Sequence, residues 1–273
     1  MITTTSFKAI IAAQRRHPTE WLWRQCLSIR SQFCEAVVAA GYLSWEQMVS
    51  AACRYRLGAS RLGGVIFWQI DQEERVHDGK VMYYQPDCHR DKGRNPTWVS
   101  ALLRRRNPFP DSPHETSHCF FGTHLISPLN ERLFRPPLTP PNSGGETAIA
   151  VMEGQGGRSP IAVVEAEKTA VILSELYPQY VWLAAGGLGE VQVDKFRPLR
   201  GHKVIMFPDT DPEGIAYKRW CEAAERVMQQ PFWEDSPPIR VSNVLERHAS
   251  PEQKARKIDL VDFLLDRRTD EKT

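Results

Sequence analysis

From Ile161 onward the chain alternates short apolar runs with helical stretches, and few folds accept that pattern. Ile161-Ala162-Val163-Val164 is apolar at every position. Lys168 to Tyr177 then reads as helix, Tyr180 to Ala184 and Val204 to Phe207 as strands, Gly214 to Gln229 as helix, Ile239 to Val241 as strand and Asp259 to Arg267 as helix. A strand that is apolar throughout has to be covered on both faces, and strands separated by helices pair in parallel. Active groups in such sheets gather at the C-terminal ends of the strands. The expected fold class is therefore α/β: a parallel four-stranded sheet between helices, preceded by a smaller α+β domain.

The preceding residues have a different texture. Residues 6–56 read as helical, with Phe33, Val37 and Val38 and then Val49 and Ala52 at three-to-four-residue spacing, and with Gly41 ending one helix. Ser44-Trp45-Glu46-Gln47 has the form of a capping box that opens the next. Val65 to Ile70 is of strand length, Asp71 to Gly79 is a polar turn, and Lys80 to Tyr84 is a second strand, which together predict a β-hairpin. Pro86 to Pro96 reads as a loop, Trp98 to Arg106 as a short helix, and Phe120-Phe121-Gly122 as a compact element. Between 135 and 160 stand Pro136-Pro137, Pro140-Pro141, Gly144-Gly145 and Gly156-Gly157, too dense in Pro and Gly for more than a short strand at 148–152. The expected domains are 1–134, a linker or insertion at 135–160, and 161–273.

Composition excludes some function classes. With 41% apolar and 25% charged residues in 273, the chain is of ordinary globular make-up. No apolar run approaches the roughly 20 residues of a membrane span, and the N-terminus lacks a secretory pattern, so the expected location is cytoplasmic with no membrane partner. Residues 1–150 carry 18 Lys/Arg against 13 Asp/Glu and residues 151–273 carry 17 against 20, a basic front and an acidic back. The six cysteines form no Cys-x-x-Cys pair. The adjacent Cys88-His89 and His118-Cys119 pairs lack the spacers common in zinc sites and suit buried thiols and satisfied histidines better.

The acidic residues stand where such a sheet puts its chemistry. The first strand runs into Glu165, and the third into Asp209-Thr210-Asp211 with Gly214 beyond. In an extended segment Asp209 and Asp211 lie on one side, so both carboxylates can face one ion. Mg²⁺ takes carboxylate oxygens, commonly one or two of them together with water and substrate phosphates. An acid on the neighbouring strand is then placed for proton transfer or a second ion.

These residues resemble the toprim domain, the metal-dependent fold shared by bacterial DnaG-type primases, topoisomerases and some nucleases, over about residues 160–265. Glu165 matches its strand-end Glu, and Asp209, Asp211 and Gly214 match its Asp-x-Asp element. Ala184-Ala185-Gly186-Gly187 resembles the small-residue turn after the second strand. Asp259-Leu260-Val261-Asp262 resembles the additional acidic element found downstream in primases, which implies that Asp259 or Asp262 assists a second metal. Ala166 stands where glycine is commonest. Glu165-Ala166-Glu167-Lys168-Thr169-Ala170 is similar to a form found in primase-like toprim proteins of bacterial mobile elements. The resemblance implies Glu165, Asp209 and Asp211 as catalytic and metal-binding residues, Asp259 and Asp262 as further metal ligands, Lys168, Gly186 and Gly187 as nucleotide-contacting residues, and Mg²⁺ or Mn²⁺ as cofactor.

Gly64 to Asp71 and Arg75 to Lys80 likewise resemble the segment that precedes toprim in those primases, a basic platform for template. That resemblance implies a phosphate-contacting surface of Arg54, Arg56, Arg61, Lys80, Arg104, Arg105 and Arg106, with Trp68 and Tyr84 better suited to the core than to stacking. The implied activity is a primase-like nucleotidyltransferase that makes short oligonucleotides on single-stranded DNA from nucleoside triphosphates, beside a separate helicase or replication protein. A toprim nuclease and a non-catalytic DNA- or nucleotide-binding module of a mobile-element replication complex are the alternatives. The sequence contains no P-loop and no convincing zinc module.

Overall fold

The structure, a computed structural model, describes residues 27–106, 118–127, 130 and 159–270, with the backbone only at 104–106 and 267–270. The readings made above for residues 6–26, the 135–158 part of the linker and its short strand lie outside the described residues. The chain divides into two units, Met1–Cys119 and Phe120–Thr273. Phe120 and Ile126, which precede the linker in sequence, are packed in the core of the second unit.

The first unit is built on a four-stranded antiparallel sheet, β1 (Gly58–Ala59), β2 (Val65–Ile70), β3 (Val76–Met82) and β4 (Thr97–Trp98), in that spatial order. Helices α1 (Gln32–Ala39) and α2 (Trp45–Arg54) precede it and α3 (Val99–Arg106) follows. The Ser44 capping box is present: Gln47 N–H donates to Ser44 Oγ at 3.3 Å and Ser44 N–H to Gln47 Oε1 at 2.9 Å. Every residue of β2 is buried. Phe67 meets Phe33 and Tyr84 on one face, while Ile66, Trp68 and Ile70 pack with Val76, Val81 and Val99 on the other. Trp68 and Tyr84 are thus core residues.

The hairpin differs from expectation in where its second strand starts. The turn is only Asp71 to Arg75, and β3 begins at Val76. The polar His77-Asp78-Gly79 is accepted into the strand because its charge finds partners. Asp78, fully buried, accepts from Ser100 Oγ at 2.5 Å, Ser100 N–H at 3.0 Å and Gly79 N–H at 2.7 Å. Burial pushes the Asp78 carboxyl up, but His118, Ser100 and Gly79 together hold it below the ordinary value. Of the Cys88-His89 and His118-Cys119 pairs, Cys88 and Cys119 are buried, His89 lies beside Asp87, and His118 stacks on Trp98 at 4.1 Å.

The second unit is the parallel sheet. β5 (Ile161–Val164), β6 (Val181–Ala184), β7 (Val204–Phe207) and β8 (Arg240–Val241) lie in the order β6-β5-β7-β8, all parallel. Helix α4 (Glu167–Leu176) connects β5 to β6 and α5 (Ile215–Met228) connects β7 to β8; α6 (Val244–His248), α7 (Pro251–Arg256) and α8 (Leu260–Asp270) follow. Side chains alternate as the pleat requires. Ile161, Val163, Leu183, Val204 and Met206 pack against Trp220, Ala223 and Val227 of α5. Trp182 and Phe207 point to the other face, their rings 5.7 Å apart, and α4 packs on β5 and β6 with α8 against it. Because β5 leads away to β6 on one side and β7 to β8 on the other, a crevice opens between the C-terminal ends of β5 and β7. Among the described residues no helix is long and apolar enough to cross a membrane.

Candidate active site

Glu165 immediately follows β5, and Asp209 stands two residues beyond β7, so the register that pairs Val164 with Phe207 brings both acids to that crevice. Gly186 supports it from β6: its N–H donates to the Glu165 carbonyl at 2.9 Å. Gly186 and Gly187 have φ of 94° and 153°, a left-handed region that a side chain would strain, so the small-residue turn is a backbone requirement. Ala166 is accommodated for the converse reason. It sits at the N-cap of α4 with φ −99° and ψ 143°, ordinary extended geometry that needs no glycine.

The two carboxylates of Asp-x-Asp have different partners. Asp211 is 7% exposed and accepts three backbone N–H groups at the start of α5: Glu213 at 3.1 Å and Ile215 at 3.0 Å on Oδ1, Ala216 at 2.8 Å on Oδ2. Burial pushes its carboxyl up, but those donors and the charge of Lys257 hold it below the ordinary carboxylate value. It satisfies free N–H groups at the start of α5 from a position three residues before the N-cap, Gly214. Gly214, at φ 65°, makes the turn into that helix.

Asp209 has the opposite character. It is half-buried, and shielding by the surrounding protein pushes its carboxyl well above the ordinary value. The negative charges of Asp259, Glu165 and Asp262 push the same way, against the attraction of Lys168. Its surroundings thus disfavour its charged form.

Asp259 and Asp262 reach the site from the N-terminus of α8. Asp262 N–H donates to Asp259 Oδ1 at 2.9 Å, the reach-back of a helix cap. Asp259 Oδ2 accepts from Thr169 Oγ1 at 2.6 Å and lies 3.3 Å from Lys168 Nζ, which is 3.6 Å from Asp262 Oδ1. Burial raises the Asp259 carboxyl, yet Lys168, Thr169 and the Asp262 N–H together hold it below its ordinary value. Thr169, fully buried, was not singled out in the sequence; its signal is its place in the first turn of the helix that follows Glu165. Nor was Glu246, which accepts from Thr210 Oγ1 at 2.8 Å and pairs with Lys254 at 3.4 Å. A shallow pocket of about 310 Å³ lined by Pro212, Ala249, Pro251 and Lys254 lies beside this loop.

Carboxylate oxygens are the donors Mg²⁺ and Mn²⁺ prefer, so Glu165 and Asp209 suit such an ion in chemistry. Among the described residues no three Asp, Glu, His or Cys side chains form a ready cage. An ion here would keep water or substrate oxygens in much of its shell.

The expected nucleic-acid residues belong to the first unit. Arg61 is exposed, Arg54 and Lys80 are half-buried, and Arg56 is ion-paired with Glu74. The backbone of Arg104 to Arg106 forms the end of α3.

Residues 31–133 and 147–210 match a family described as a domain of unknown function, DUF6371. The chain belongs to that family. The DUF6371 match includes Glu165, Lys168 and Asp209 and ends one residue before Asp211. No curated protein matches the sequence. Among solved structures, the chain is similar to the primase fragment of the bacteriophage T7 primase-helicase protein, with 18% identity and a TM-score of 0.40, over 76% of this chain and 63% of that one. It thus spans less than two thirds of the fragment's length. It is also similar, with 16% identity and a TM-score of 0.36, to a chain in the complex of bacteriophage T7 lagging-strand DNA polymerase with primase domains of two gp4 subunits bound to an RNA/DNA hybrid and dTTP; 72% of this chain and 80% of that one are covered.

Proposed function

We propose that the chain is a metal-dependent, primase-like nucleotidyltransferase that extends short oligonucleotides on single-stranded DNA, with Glu165 and Asp209 as its catalytic acids. The observation that carries this reading is the pairing of those acids at the crevice between β5 and β7, with Asp209 pushed strongly toward its protonated form by burial and by Asp259 and Glu165. An aspartate whose neighbours disfavour its charge suits a site that a cation and substrate would bring into charge balance.

Glu165 and Asp209 would hold a Mg²⁺ or Mn²⁺ ion, which when bound supplies charge neutralisation of the triphosphate. In this reading Glu165, the first residue past β5, would take the proton from the attacking hydroxyl. The Gly186-Gly187 turn keeps the adjoining backbone free of side chains, which suits close approach of a triphosphate. The exposed Arg61, with Arg54 and Lys80, would contact template phosphates as diffuse positive charge rather than as a sequence reader.

The test is synthesis of labelled oligonucleotides on single-stranded DNA with nucleoside triphosphates and Mg²⁺ or Mn²⁺, by the wild-type chain, Asp209→Asn and Glu165→Gln. Product from the wild type and at least about a hundredfold less from both variants supports the assignment. Undiminished synthesis by Asp209→Asn refutes it, and cleavage of the strand without triphosphates replaces it with a nuclease.

A further inference from the structure

We propose that Tyr83 and Arg94 of the first unit form a stacking platform for an unpaired base of single-stranded DNA, with Arg90 and Lys92 of the same loop placed for the flanking phosphates. The inference deepens the reading of the chain as an enzyme of single-stranded DNA. It rests on the DNA-binding part of that reading and not on Glu165 and Asp209.

Tyr83, the residue after β3, is only partly buried, and its ring packs against the cluster of Ile66, Trp68 and Val99. A methyl group at Gly64 would come 2.7 Å from Tyr83 Cε1, so the missing side chain there is what lets the ring lie against the Arg61 to Gly64 turn. The ring is thus fixed from within. Arg94 stands over it, with its guanidinium carbon 4.6 Å from the ring centroid. A cation over a ring gains little at an exposed site, and ordering a long side chain costs entropy, so the ring alone does not hold this pose. Asp91 helps to hold it. The Asp91 N–H donates to the Tyr83 carbonyl at 2.9 Å, and its carboxylate accepts the Gly93 N–H at 2.9 Å and lies 3.6 Å from Arg94 Nε. The arginine is tied in this way to the backbone that carries the tyrosine.

The Arg94 side chain nevertheless stays 49% exposed. A guanidinium is planar, and bases stack on such planes as they do on aromatic rings. The loop around it is exposed and carries Arg90 and Lys92 as well, while its acids are engaged: Asp87 accepts the His89 N–H at 3.0 Å, and Asp91 holds Gly93 and Arg94. Cations for phosphates beside a flat face for a base are the two parts of a sequence-tolerant single-strand site. The exposed Arg61 belongs to the turn on which the Tyr83 ring rests, so the platform adjoins a cation already assigned to template phosphates.

The test compares two labelled single strands of equal length by fluorescence anisotropy with the full-length chain, one of mixed sequence and one with abasic sites through its middle. The phosphates are the same and the central bases are missing. The wild type is expected to bind the base-bearing strand at least about fivefold more tightly. Arg94→Lys, which keeps the charge and loses the plane, and Tyr83→Leu should both abolish that preference, and Tyr83→Phe should keep it. Arg90→Ala with Lys92→Ala should weaken both strands alike and lower the salt slope by about one to two. A wild type without preference overturns the proposal. So does a preference that survives in Arg94→Lys, which leaves single-strand binding itself standing. A preference lost in Arg94→Lys, in a chain whose wild type makes no oligonucleotide, upholds this proposal and sinks the nucleotidyltransferase reading. A wild type that binds neither strand overturns both. If Tyr83→Leu does not fold, the exposed Arg94→Lys decides alone.

Discussion

Replacing Asp211 with alanine removes the acceptor for three N–H groups at the start of α5, those of Glu213, Ile215 and Ala216. Loss of an N-cap costs about 0.5–2 kcal/mol, and hydrogen bonds to an ionised acceptor lie at the upper end of what such bonds contribute. With three donors, one of them on the buried Ala216, a loss of about 2 kcal/mol is expected. In a unit of this size each kcal/mol moves Tm by about 2–4 °C, so the Asp211→Ala transition should fall by about 4–8 °C. Asp211→Asn keeps one oxygen and should lose about half as much. Thermal unfolding followed by circular dichroism at neutral pH measures both. The sign with pH follows from the lowered carboxyl: its stabilisation is present above the unfolded carboxylate value and is lost as pH falls through the lower folded value. The gap between wild type and Asp211→Ala should therefore close in acid. An unchanged Tm accompanied by loss of Mn²⁺ affinity would refute the capping role and return Asp211 to the ion.

Further perturbations address the other groups. Asp209 is the reverse titration: its folded carboxyl is raised, so the folded state binds its proton more tightly and stability falls as pH rises from the ordinary carboxylate value through the raised one. Asp209→Asn should flatten that slope in urea unfolding measured from pH 4 to 8, and an unaltered slope would contradict the assignment. Thr169→Val removes the hydroxyl on Asp259 with little change of shape and should cost about 1–3 kcal/mol, largely restored by Thr169→Ser; equal loss in both would make it a packing effect. In the first unit, a methyl group at Gly79 would come 2.6 Å from the buried Trp68 ring, so Gly79→Ala should destabilise by about 1–3 kcal/mol, read by Trp fluorescence on denaturant unfolding. Arg61→Ala should weaken single-stranded DNA binding and lower the salt slope by about one, with Arg56→Ala smaller because Glu74 already holds that guanidinium.

The strands of the parallel sheet were legible because burial on both faces demands apolar runs, and Ile161 to Val164 and Val204 to Phe207 have no polar position to mislead. The start of β3 was hidden because His77-Asp78-Gly79 looks like a turn, and the Ser100 that satisfies Asp78 is 22 residues away. Reading Asp209 and Asp211 as side-by-side ligands assumed that the strand continues. It stops at Phe207, two residues before Asp209, and past that point a spacing of two no longer fixes a common face. Short acidic residues ahead of a helix are caps as readily as ligands, and Asp211 and Asp259 are both of that kind. What separates Asp209 from them is its surroundings, a charge balance between residues more than 40 positions apart, which no local pattern contains.

The central claim is that Asp209, beside Glu165 at the crevice, stands among charges that disfavour its own and takes a cation. Carboxyl-carbon NMR of Asp209, titrated with and without Mg²⁺, tests it most directly. The account predicts titration well above the ordinary carboxylate range in the metal-free chain and a marked fall when Mg²⁺ is added. An Asp209 that titrates like an exposed aspartate, and is indifferent to Mg²⁺, would contradict it.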